Sequence, residues 1–212
     1  MKRSLFFILF ILLNTISFAL DIPKLKYLAE QGCDTAQVQL GDCYFKGKNI
    51  AADINEAIMW YQKAANKGNT VAQIRLGTCY FLGLGVLENH TEAVKWYRKA
   101  AEQGNVDGAD ALAGCYRRGD GVDKDMSEAL KWYRKAAERG SIYSQYSLAE
   151  CYAKGLGVLQ NKIKAYAWYA LAAKNGYELA SESMQKLGLE LSKTEISDAL
   201  VLAEKYARGI FD

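Results

Sequence analysis

Apolar positions between residues 34 and 177 fall on two alternating helical stripes. From Thr35 to Lys46 the positions Ala36, Leu40, Cys43, Tyr44 and Gly47 recur at i, i+4, i+7, i+8 and i+11, one face of a helix. Farther on, Ala57, Trp60, Tyr61, Ala64 and Ala65 recur at i, i+3, i+4, i+7 and i+8, a second buried face. The pair then returns every 36 residues. Leu40, Leu76, Leu112 and Leu148 keep this register, as do Cys43, Cys79, Cys115 and Cys151, each followed by a tyrosine. So do Trp60-Tyr61, Trp96-Tyr97, Trp132-Tyr133 and Trp168-Tyr169, which use all four tryptophans of the chain. Four ungapped copies predict a stack of two-helix units, A then B.

Helix starts and stops are written locally. Asp53, Asn89, Asp125 and Asn161 stand just before each helix B, where a side-chain oxygen can accept from a free backbone N–H. Glu56, Glu92 and Glu128 follow three residues later and predict capping boxes; Lys164 breaks the pattern in the fourth unit. Gly68, Gly104, Gly140 and Gly176 suit the left-handed position that ends a helix. Gly-x-Gly-Val turns link A to B in three units, whereas the first has Gly47-Lys48-Asn49-Ile50 and could turn differently. Leu25, Leu28, Ala29 and Gly32 read as an N-terminal half-repeat over 22–33. Ala180 to Leu187 reads as a fifth helix A, and Ser192-Lys193-Thr194-Glu195 as a capping box opening a last helix from Lys193 to Ala207. Terminal units of this kind shield the exposed ends of a stack. The fold expected is an all-α superhelical solenoid: four full repeats, 34–69, 70–105, 106–141 and 142–177, with a C-terminal cap over 178–212.

The first nineteen residues differ from the rest. Lys2 and Arg3 precede the apolar run Leu5 to Leu13, and small residues at Ser17 and Ala19 follow, the three parts of a secretory signal. The run is shorter than the roughly 20 apolar residues that span a bilayer. Cleavage after Ala19 is therefore expected, leaving a mature chain from 20 to 212 that is periplasmic or secreted and not stably inserted in a membrane. Without Lys2 and Arg3, the 27 Lys and Arg against 24 Asp and Glu leave an excess of one positive charge. That balance argues against nucleic acid as a partner. A single histidine, His90, excludes a multi-histidine metal site, and a single proline leaves the chain free to be helical.

The pattern Ala-x-x-x-Leu-Gly-x-x-Tyr-x-x-Gly-x-Gly-Val, then Asp or Asn, then Ala-x-x-Trp-Tyr-x-Lys-Ala-Ala-x-x-Gly resembles the Sel-one-like repeat family of the tetratricopeptide-like superfamily. The likeness covers about Leu25 to Ala180 and implies a non-catalytic scaffold that binds a protein or peptide, without naming it. In solenoids of this kind the A helices line the concave face. Helix A positions that vary between repeats would then give specificity, and the candidates are Val38, Phe45, Ile74, Phe81, Arg117, Arg118, Tyr146 and Glu150. Val38, Ile74 and Tyr146 could instead pack against neighbouring A helices.

Candidate chemistry is sparse. Equivalent cysteines on stacked helices would lie about 8–10 Å apart, beyond the ~7 Å that a disulfide allows between Cα atoms, so the thiols read as small buried apolar groups. The related Helicobacter cysteine-rich proteins have two cysteines per repeat, and this chain has one. Some of those relatives are described as β-lactamase-like, and Ser183-Met184-Gln185-Lys186 matches a Ser-x-x-Lys motif. Its companion Ser-Asp-Asn and Lys-Thr-Gly elements are missing. A β-lactamase or penicillin-binding-like hydrolase, and a binder of cell-envelope polymer, stay as alternatives. His90 reads as a solvated residue at a helix start, and Asp120, Asp123 and Asp125 as a charge-balanced loop. No cofactor and no metal are expected, and a monomer is.

Overall fold

A computed structural model describes residues 21–211, and among these all regular structure is α-helical. A half-repeat helix α1 (Ile22–Glu30) comes first. Four A–B pairs follow: α2 (Asp34–Lys46) with α3 (Ile54–Asn66), α4 (Thr70–Leu82) with α5 (His90–Glu102), α6 (Val106–Arg118) with α7 (Met126–Glu138), and α8 (Ile142–Lys154) with α9 (Lys162–Lys174). Helices α10 (Glu178–Gly188) and α11 (Lys193–Ala207) close the chain. The expected all-α architecture of four two-helix repeats with terminal helices is what forms. The expected signal and its cleavage after Ala19 lie outside the described residues. The chain divides into two compact units, one ending at Ala72 and the other running from Gln73 to Asp212.

The repeat frame is the core. Leu40, Leu76, Leu112 and Leu148 are completely buried, as are Ala57, Ala93, Ala129 and Ala165 opposite them. Every Trp-Tyr pair is buried too. The Ala-Ala pair has a second task. Gly68 N–H donates to Ala65 and Asn69 N–H to Ala64, the paired bonds of a Schellman ending. The same bonds form at 104–105, 140–141 and 176–177. The residue after the glycine then caps the next helix A: Asn69 accepts from the N–H of Ala72, Asn105 from Gly108 and Ser141 from Ser144. Two residues thus end one helix and start the next.

Two expectations are refined. Asp53, Asn89, Asp125 and Asn161 do cap the B helices through their side chains. The reciprocal half of the box is supplanted, because each cap's own N–H donates to the carbonyl of the tyrosine ending the paired A helix: Tyr44, Tyr80, Tyr116 or Tyr152. Glu92 and Glu128 reach Lys95 and Lys131 instead. Ser192 has both halves of a box. The first A–B turn does not differ: Asn49 takes φ +62°, the left-handed value that Gly85, Gly121 and Gly157 take in the other units.

Candidate protein-interaction surface

In the unit ending at Ala72, Val38 is buried at 8% exposure and Phe45 is 39% exposed. Of these two, Phe45 alone offers surface. One turn earlier, Asp42 accepts from the Tyr61 hydroxyl at 2.7 Å, so this variable position serves the repeat's own helix B.

The second unit holds the other six candidates. Ile74 is half-buried on α4. Phe81 is half-buried and stacks on His90, ring centroids 4.5 Å apart. That contact corrects the reading of His90 as merely solvated: the imidazole starts α5, is half-buried, and lies 3.2 Å from Glu88. Arg117 and Arg118 are both exposed at the end of α6. Arg118 Nε donates to Asp120 at 2.5 Å while its guanidinium lies 5.8 Å from the Phe81 ring. Arg117 donates to the Tyr143 hydroxyl at 3.4 Å. The structure therefore brings Phe81, His90, Arg118 and Asp120 together across two repeats.

Tyr146 and Glu150 belong to a second cluster. The Tyr146 ring lies 5.0 Å from that of Tyr177 and 5.6 Å from that of Tyr169. Glu150 accepts from the Tyr169 hydroxyl and from Lys154. Burial, with the Glu150 charge beside it, drives the Tyr169 hydroxyl far above its ordinary pKa. The equivalent of Tyr146 in the third repeat, Asp110, turns the same way. It accepts from Ser141 at 2.7 Å and from Ser144, both flanking the start of α8. Burial raises its carboxyl above the ordinary range, against the pull of those two hydroxyls. Positions 110 and 146 thus tie their own A helix to the start of the next one.

Ser183 and Lys186 lie one turn apart on α10, Ser183 half-buried where its hydroxyl meets that of Tyr169 and Lys186 exposed. All five cysteines are unbridged, four buried and Cys33 exposed. Burial raises the four, Cys115 and Cys151 to about 11, whereas hydrogen bonding from Thr35 lowers Cys33. Among the described residues no group of three or more His, Cys, Asp or Glu could hold a metal ion, and no helix is long and apolar enough to cross a membrane.

Sequence reasoning passed over the part played by Tyr133 and Tyr143. Tyr133 looks like any frame tyrosine. The signal lay in reading two columns together, the tyrosines of helix B against Asp42, Thr78, Gly114 and Glu150 of helix A.

A buried frame repeated on paired helices defines an α/α repeat protein. A family model described as Sel1 repeat matches residues 34–69, 70–105, 106–141 and 142–177. The chain belongs to the Sel1 repeat family, whose members are in general protein-interaction scaffolds and typically non-catalytic. Among solved structures it is similar to a Sel1 repeat protein from Oxalobacter formigenes, at 32% identity over 87% of this chain and 78% of that one, TM-score 0.74. It is also similar to c5321 of uropathogenic Escherichia coli, a protective antigen displaying an SLR fold. That match has 29% identity over 92% of this chain, TM-score 0.60, and this chain spans half the length of that protein. Helicobacter pylori cysteine-rich protein B shares the fold at 22% identity, over 58% of this chain and 92% of that one, TM-score 0.50. No curated protein sequence matches the chain.

Proposed function

We propose that the chain is an exported, non-catalytic scaffold that captures a protein or peptide through the variable positions of its A helices. The observation that carries this reading is the contrast within one helix: α6 buries Leu112 and Cys115 in the frame while presenting Arg117 and Arg118 to solvent beside Phe81. Repeat positions that vary on a constant frame are where such proteins place specificity. In the second unit the candidate contacts are Ile74, Phe81, Arg117, Arg118, Tyr146 and Glu150; in the first, Phe45 is the exposed candidate and Val38 adds only support from beneath. Export rests on the Lys2-Arg3 start and the Leu5–Leu13 run, and the description of c5321 as a protective antigen accords with it. In the cell the chain is expected in the periplasm or medium, beginning at Leu20.

The test compares wild type with Ile74→Glu/Phe81→Glu in affinity capture from envelope extract, with circular dichroism showing that the variant is folded. A protein retained by wild type and lost by the variant supports the reading. Equal recovery, or none, removes these positions from it. N-terminal sequencing of the secreted or periplasmic chain checks the export half separately.

A further inference from the structure

Each frame tyrosine of helix B is a buried hydroxyl that needs an acceptor. Tyr61 finds Asp42 at 2.7 Å, Tyr97 finds Thr78 at 3.3 Å and Tyr169 finds Glu150. Tyr133 is completely buried, and no helix A side chain stands in hydrogen-bonding geometry to its hydroxyl, which faces only the hydroxyl of Tyr143. The cause lies nineteen residues earlier, where the other repeats carry Asp42, Thr78 and Glu150 and the third carries Gly114.

The fourth repeat shows the complete arrangement: Glu150 accepts from Tyr169 and is paired by Lys154, one turn along α8. In the third repeat the cation is kept and enlarged, since Arg118 stands at the position of Lys154. With its Nε engaged by Asp120, Arg118 aims its other nitrogens at the gap. Nη1 and Nη2 lie 3.3 and 3.7 Å from where a Cβ on Gly114 would stand. Arg117 approaches from the other side through Tyr143, whose ring packs edge-on 6.2 Å from that of Tyr133. Both guanidinium groups act electrostatically on the Tyr133 hydroxyl. Asp110, one turn before Gly114, already accepts from Ser141 and Ser144. Hydroxyl and cations are present, and the carboxylate between them is missing. The second repeat, with Thr78 and Leu82 at the two positions, is neutral there.

We propose that the third repeat anchors a carboxylate of the bound partner, an Asp or Glu side chain or the C-terminus of an extended peptide. It takes the part that Glu150 plays in the fourth repeat, pairing with the exposed Arg118 and Arg117 above the buried Tyr133 hydroxyl. This rests on the peptide-binding reading above. Arginine pairs planar carboxylates through two parallel bonds, which suits it to a ligand supplied from outside. Phe81, beneath Arg118, keeps one wall of the site apolar.

Three short peptides of one backbone sequence test the proposal, titrated into isotope-labelled protein and followed by amide chemical shifts. One has an internal Glu and an amidated end, one an internal Gln and a free C-terminus, and one an internal Gln and an amidated end. At least one of the first two is expected to move Gly114, Arg117 and Arg118 saturably, and to bind about tenfold or more tighter than the third. Which one does so identifies the source of the carboxylate. The Gly114→Glu variant supplies the acceptor from within, so it is expected to lose the acidic preference and to melt about 2–4 °C higher. Gly114→Ala adds helix propensity without an acceptor and is expected to keep the preference. Should Gly114→Glu fail to fold, Arg118→Gln takes its place with the same expected loss.

Equal binding of all three peptides, shifts confined to other repeats, or an acidic preference that survives Gly114→Glu would each overturn the anchor while leaving peptide binding in place. Absence of binding by all three overturns the anchor and counts against that reading as well.

Discussion

The five thiols separate by environment. Buried Cys43, Cys79, Cys115 and Cys151 are held as neutral thiols by desolvation, whereas the exposed Cys33 is the better thiolate. Titration with Ellman's reagent at neutral pH is expected to count one rapid thiol in the native protein and five in denaturant. The buried carboxyl Asp110 gives a second residue-level test. Its folded pKa lies above the unfolded value of 3.8, so between the two the native state holds more protons than the unfolded chain. Stability from this group therefore falls as pH rises through that window and is level above it. Urea midpoints from pH 4 upward are expected to show a shallower fall in Asp110→Asn. Among the tryptophans, Trp96 is buried in the frame with Lys99 3.9 Å above its ring. Truncating it to Ala is expected to cost ~3–5 kcal/mol in urea unfolding, mostly through the cavity left behind.

At the scale of elements, the connections set the repeat length. Gly121 has φ +72°, and a Cβ there would run into the backbone of His90 in the preceding repeat. Gly140 has φ +93° with open space around it. Gly140→Ala is expected to cost about 1–2 kcal/mol, the left-handed penalty alone, and Gly121→Ala distinctly more, both read from thermal melts. Helix boundaries were legible in the sequence because caps and stops are local chemistry: Lys193 to Ala207 is a helix with its Ser192 box in place. The reciprocal boxes at Glu56, Glu92 and Glu128 were over-read. Local spacing permits them, but the cap N–H groups are committed to tyrosine carbonyls on another helix, a tertiary bond that no three-residue pattern reveals.

For the molecule as a whole, a period of 36 residues made the fold readable, because each copy repeats the same burial. The candidate surface was less readable for the same reason. Variation marks a position as free of the frame without saying whether it meets solvent, its own helix B or the next helix A. Phe45 and Arg117 meet solvent, Asp42 and Glu150 meet tyrosines of their own repeats, and Asp110 meets Ser141 and Ser144. Only side-chain geometry separates these cases. Lys63, Lys99 and Lys135 lie 4.1, 3.9 and 4.2 Å over Trp60, Trp96 and Trp132. The fourth repeat has Leu171 in that column, buried, and Trp168 stacks on Tyr206 and Phe211 instead. Deleting residues 192–212 is expected to expose that patch, seen as a rise in ANS fluorescence that Leu171→Lys in the shortened chain reduces.

That one leucine has an evolutionary consequence. Duplication of the 106–141 segment inserts another unit whose outer edge is already finished with a lysine, so the array can lengthen from within by unequal crossing-over. Duplication of 142–177 would instead strand Leu171 at an inner junction, away from the tail that shelters it. Copying the third unit is thus expected to be better tolerated than copying the fourth, and longer homologues are expected to carry their added units upstream of the leucine.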